Sequence, residues 1–139
     1  MPVLDELGTY LEAQGVGILG VSLFQGGIPQ DAPNIAIQDS LLALIEVPGL
    51  PPVHVHTQTA ATYEQPMVQV ATRGQPYGYD GARAMAQQAF LALDGLANVV
   101  LSGVEYLWIQ AMQSPFLLRT DELARPLLVF TVRVAKALT

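Results

Sequence analysis

The chain is predicted to fold as one α+β domain spanning residues 1–139, with two main helices packed on a mixed or mainly antiparallel sheet of about six strands and a C-terminal antiparallel hairpin. Three observations carry this. Apolar residues recur at helical spacing twice, at Leu4, Leu7, Tyr10 and Leu11 and again between Ala82 and Leu93. Later segments, Met67 to Thr72, Val104 to Met112 and Leu128 to Val134, alternate with the period of a strand. A length of 139 residues suffices for one core without staples, and no internal repeat, low-complexity tract or charge block marks a second domain.

In chain order, the first stripe makes a short helix that Gly15 terminates. Gly15 to Phe24 is β-rich with interrupting glycines and is predicted as a strand, and Gly26 to Ala36, with two prolines and two glycines, as a long loop. Ser40 to Val47 is an almost unbroken apolar run closed by Pro48-Gly49, the pattern of a buried strand. Leu50 to Thr62 then reads as an extended loop, with any short strand in it at an edge. In the Met67–Thr72 strand, Val68 and Val70 face away from Met67, Gln69 and Ala71, and Gly74 and Pro76 end the run.

Asp80 is placed to cap the second helix and Gly95 to supply its left-handed exit. Between them Ala82, Met85, Ala86, Ala89, Phe90 and Leu93 form the packing stripe. Asn98 to Leu101 is a short strand and Ser102-Gly103 a turn. Val104 to Met112 follows, with Leu107 and Ile109 expected opposite Tyr106, Trp108 and Met112. Pro115 interrupts, Phe116 to Leu118 continues the pairing, and Thr120 to Pro126 is a polar turn into the last strand.

Hydrophobic residues make up 51% of the chain and charged residues 13%, against about 25% charged in ordinary soluble domains. So sparse a charge leaves two readings, a surface dominated by Gln, Thr, Ser and Gly or an apolar excess covered by partner subunits, and the second is favoured. Six basic against twelve acidic side chains give a formal charge of −6, which repels phosphate and argues against specific nucleic-acid binding. No run approaches a membrane span and the N-terminus lacks a signal-peptide pattern, so a soluble, unsecreted protein is expected. The absence of cysteine removes disulfides, thiolate metal sites and cysteine nucleophiles together.

Catalytic constellations are sparse. His54 and His56 would share a face of an extended segment and could offer two metal ligands, but no third lies nearby in sequence. Gly15-x-Gly17-x-x-Gly20 matches a dinucleotide fingerprint in letters only, because it precedes the expected strand instead of following one. Arg73, Arg83 and Arg119 are too scattered in sequence to define a basic track. The expectation is a non-enzyme without cofactor or metal. Interface candidates are Tyr106 and Trp108, large amphipathic rings of the kind favoured at contact hot spots, with His54, His56, Pro29 and Asn34 on the two long loops.

The joints of the central unit are distinctive. Tyr63-Glu64-x-Pro66-x-x-Gln69-Val70, then Arg73-Gly74-x-Pro76-Tyr77-x-Tyr79-x-x-Ala82-Arg83, then Leu93-x-Gly95-Leu96-x-Asn98-Val99-x-Leu101-Ser102-Gly103 resemble the minor capsid or tail-terminator family of long-tailed phages. Weaker agreement extends from Leu4-Asp5-Glu6-Leu7 through Gly49-Leu50-Pro51-Pro52 to Gln113-Ser114-Pro115-Phe116 and the Asp121-to-Pro126 turn. The resemblance implies a structural virion protein at the tail–neck junction, assembled in the host cytoplasm into a ring, usually sixfold. Its implied partners are other copies of itself, the tail tube protein and a neck or head-completion protein, with DNA passing through and no membrane involved. The alternatives are another head–tail completion or neck component and, in a different class, a small metal-dependent enzyme using His54 and His56.

Overall fold

The structure is a computed structural model that describes residues 2–29, 37–53 and 63–137. Its elements are α1 (Val3–Ala13), β1 (Leu23–Gln25), β2 (Leu41–Val53), β3 (Tyr63–Arg73), α2 (Tyr79–Leu93), β4 (Leu96–Leu101), β5 (Val104–Ala111), β6 (Phe116–Thr120) and β7 (Pro126–Ala137). The seven strands form one mixed sheet, six of them in the order β1-β2-β3-β7-β5-β4 and the seventh, β6, paired to β7 off that path. Only β1 and β2 run parallel; every other pair is antiparallel. β3 lines one edge of β7 along most of its length, so β5 and β6 pair end to end along the other edge. The α+β class, the mixed sheet and the C-terminal hairpin follow the sequence expectation.

Both helices lie on the same face. Leu7 and Leu11 of α1 and Ala89 and Leu93 of α2 join Leu42, Leu44, Val68, Val70, Phe130 and Val132 in one buried cluster. Tyr10 Oη ties the helices together by donating to the Ala92 carbonyl at 3.1 Å. The opposite face is apolar as well: Ala71, Leu127 and Val129 are buried there with Ile28 and Ile45 against them. A strand covered on both sides loses the in-out alternation of a half-exposed one. This is why β7 is buried at every position from Pro126 to Phe130, and why the chain carries so much apolar residue for its size.

Five local expectations need correction. The glycine-rich stretch from Gly15 is mostly turn, because the N–H groups of Val21, Ser22 and Leu23 all point to the Ile18 carbonyl and Gly20 takes φ +82. Only Leu23–Gln25 remains to pair as β1. β2 runs past Pro48-Gly49 to Val53, where register shifts after Val47 and after Leu50 absorb the prolines. The expected loop therefore begins as strand, and its remainder, residues 54–62, lies outside the described residues. β4 starts at Leu96, two residues before the expected Asn98, which takes φ +52 inside the strand. Asp80 is not the cap: α2 is entered through Gly78, so Asp80 falls in the first turn, where the helix dipole still favours a carboxylate. Gly95 does take the left-handed exit, φ +86, with its N–H on the Ile109 carbonyl.

The fifth correction alters a face. Tyr106 opposes Lys136 while Trp108 opposes Ala135, so β5 holds one extra residue and its alternation flips between them. Tyr106 and Ile109 thus share the helix-covered core, and Trp108 turns to the other side beneath Arg133, whose guanidinium carbon is 5.0 Å from the ring centroid.

Gly49 shows how tightly the β2 irregularity is built. A Cβ there would lie 2.3 Å from the Gln65 carbonyl oxygen and 3.0 Å from Pro66 Cα, both main-chain atoms that cannot rotate away. Gly49→Ala is expected to push the β2 and β3 arms apart at a cost of about 1–3 kcal/mol, the range for overpacking. Urea unfolding checks it; an unchanged midpoint would mean that this approach is loose.

Candidate assembly surface

One corner of the molecule is stiffly built and apolar outside. The turn between β3 and α2 meets the turn between β6 and β7 through main-chain hydrogen bonds, Gly74 N–H to the Pro126 carbonyl at 3.0 Å and Tyr77 N–H to the Ala124 carbonyl at 2.8 Å. Tyr77 and Ala124 hold φ of +59 and +61, a conformation non-glycine residues adopt only when their surroundings enforce it. Asp121 supplies that enforcement in the second turn by accepting from the N–H groups of Leu123 and Arg125 and from Arg125 Nε. Partial desolvation works against these bonds, yet together with the Arg125 charge they hold the Asp121 carboxyl below its ordinary range. Arg83 of α2 donates to the Pro115 carbonyl at 2.5 Å and so pins the link between β5 and β6.

On this scaffold large apolar side chains point to solvent. Among the described residues twelve such side chains are exposed, and six of them, Tyr77, Tyr79, Phe116, Leu117, Leu118 and Leu123, belong to this corner and to β6. Tyr77 is the most exposed of them at 91%, and it is their grouping at one corner that marks an interaction surface. Tyr77, Tyr79, Leu117 and Pro126 also line a shallow depression of about 220 Å³. All five residues of β6 are exposed, and no described strand pairs with its outer edge.

Beside the corner, on the face opposite the helices, lies a cleft of about 330 Å³ walled by Arg73, Arg119, Arg125, Asp121, Leu127 and Pro29. Half of the six basic residues meet here, a convergence their sequence positions hide. Arg73 donates to the carbonyls of Asp39 and Gln38, and Arg125 bridges Asp121 at 2.7 Å and Asp39 at 3.0 Å. Arg119 is the exposed one. Three guanidinium groups against two carboxylates leave the cleft about one charge positive on an acidic protein, too little for a nucleic-acid track.

The interface candidates separate accordingly. Pro29 lines the cleft, and Trp108 is half-buried under Arg133. Tyr106 is fully buried and its hydroxyl donates to Glu6 Oε1 at 2.5 Å, which makes it a core residue and removes it from the candidate interface. Asn34, His54 and His56 lie outside the described residues. Among the described residues no three His, Asp or Glu side chains converge as metal ligands. No described helix is long and apolar enough to cross a membrane.

A sequence-family profile described as bacteriophage tail terminator protein matches residues 10–137, nearly the whole chain. The chain belongs to that family. A solved chain from the virion of a native gene transfer agent particle has the same fold: TM-score 0.65 at 15% identity, covering 97% of this chain and 94% of that one. No curated protein matches the chain by sequence. Membership of a tail-terminator family gives the exposed corner a setting, since such a protein works among other structural proteins of a phage particle.

Proposed function

We propose that this chain is a ring-forming tail terminator, a structural virion protein that caps the tail tube and joins the tail to the head or neck. The family match across residues 10–137 carries the reading, and the apolar corner on a stiff scaffold supplies a surface for it. No chemistry is required: the protein acts by presenting one surface to the tail tube protein and another to a neck or head-completion protein. A closed ring, sixfold in this reading, leaves a channel through which DNA passes, and the net charge of −6 keeps phosphate from adhering. Assembly takes place in the host cytoplasm and the finished ring resides at the tail–neck junction.

Sedimentation of the purified protein tests the ring. It is expected to associate reversibly or as a closed oligomer, because six of the twelve exposed large apolar side chains among the described residues gather at one corner, as at a contact surface. A strictly monomeric protein at high concentration, with no ring on assembled particles, would count against the proposal. The metal-enzyme alternative rests on His54 and His56, and metal analysis addresses it: no stoichiometric metal is expected before or after the double substitution His54→Ala, His56→Ala.

A further inference from the structure

The sheet has two irregular corners, and they differ in shape and charge. At the first, β6 opposes Leu117 to Leu128 and Arg119 to Leu127, so Leu118 is an extra residue pushed out of the ladder. It is 51% exposed, with exposed Phe116 before it and Arg119 after it. Arg119 is also electrostatically singular. Each of the other five basic side chains has a contact partner: backbone carbonyls for Arg73 and Arg83, carboxylates for Arg125 and Lys136, and the Trp108 ring for Arg133. Arg119 has none among the described residues and stands on β6, whose five residues are all exposed.

At the second corner the β2–β3 bulge opens a groove of about 450 Å³, with Val47, Leu50 and Met67 as apolar lining and Glu46 and Glu64 as its charges. Glu46 is exposed without a described partner, and Leu50 is 44% exposed. Pro48, Pro51 and Pro52 lack the N–H groups that an added strand would need on this edge, so the groove is suited to receive side chains and not another strand. β6 and β2 are separated by β7 and β3, and the two features also sit near opposite ends of β7, so they lie roughly 25 Å apart, at diagonally opposite corners of the sheet.

We propose that the occupant of the groove is a second copy of this chain, whose Phe116–Arg119 edge inserts Leu118 between the arms of the bulge and sets Arg119 against Glu46 and Glu64. The shapes match, a knob with a groove, and so do the charges, a lone exposed cation with an acidic rim. Because the two surfaces differ and lie at opposite corners, the contact is head-to-tail and repeats from copy to copy, which is what closing a cyclic ring demands; a face meeting itself would stop at a dimer. The inference rests on the ring reading and specifies which residues make the joint.

A charge swap read by sedimentation, with thermal melting to confirm folding, tests it. Arg119→Glu and Glu46→Arg, each alone, are expected to weaken association about tenfold or more, because each sets like charges together, and the double variant to recover most of it. Since the natural chain has no cysteine, Leu118→Cys with Leu50→Cys supplies a second readout: mild oxidation should give covalent multimers, whereas each single variant gives dimers at most. Rings that persist in both single charge variants, with no multimer ladder from the cysteine pair, would overturn the joint and leave the ring standing. A wild-type protein that never associates would overturn both.

Discussion

Replacing Lys136 by alanine is expected to destabilise the protein by about 3–5 kcal/mol, the range for removing one partner of a buried ion pair. Lys136 is 3% exposed in the central strand β7, and Nζ bonds Glu6 Oε1 of α1, itself fully buried. Glu64 on β3 is 3.6 Å away, and Tyr106 on β5 donates to the same Glu6 oxygen. Without the ammonium group the Glu6 carboxylate keeps only the phenol, and its Oε2 already has no hydrogen-bond partner. Glu6→Leu with Lys136→Met removes both charges and should recover part of the loss, since well-packed apolar replacements of buried pairs are often neutral or stabilising, while the buried Tyr106 hydroxyl is left without its acceptor. Urea unfolding of the single and double variants decides; a loss under 1 kcal/mol for Lys136→Ala would mean that water reaches the pair.

The same cluster fixes a pH response. Burial, then the hydrogen bond to Glu6 and the negative charges of Glu6 and Glu64, push the Tyr106 phenol well above its ordinary 10. A group whose folded value is raised contributes stability that is complete below its unfolded value and declines as pH rises beyond it. Stability should therefore fall above about pH 10, and Tyr106→Phe should remove that part of the decline.

Phe130→Ala is the other large effect, about 3–5 kcal/mol for deleting a buried phenyl ring. Phe130 is fully buried at the centre of β7, opposite Val70, and its ring meets Phe90 of α2 edge-on, centroids 5.7 Å apart and planes at 79°. The substitution removes one of the contacts that seat α2 on the sheet, beside those of Ala82, Ala86, Ala89 and Leu93. With total stabilities of only about 5–15 kcal/mol for domains of this kind, much of the fold's margin would go. Phe90→Ala should cost less, because Phe90 is only half-buried. Thermal melting of the two variants gives the order, and equal losses would show that the cavity at Phe130 collapses.

The elements legible in the sequence are those whose side-chain period survives packing. The α2 stripe keeps Ala82, Ala86, Ala89 and Leu93 fully buried, and β3 puts Val68 and Val70 on the face opposite Ala71 as expected. What periodicity cannot show is an inserted residue. The extra position in β5 separates Tyr106 from Trp108, and the one in β6 ejects Leu118, with no glycine or proline in either strand to announce it. Long-range convergence is equally hidden: Arg73, Arg119 and Arg125 meet only because β3 and β6 lie on opposite sides of the start of β7. Family-like joints, by contrast, were readable directly, since Gly74 and the turn at Tyr77 are fixed by backbone contacts that few other residues permit.

Electron microscopy of particles carrying a labelled copy of this chain, alongside particles assembled without it, addresses the central claim most directly. The expected result is a ring of label where tail meets head, and in its absence headless tails of irregular length. Label elsewhere on the particle, or complete particles of normal tail length formed without the protein, would contradict it.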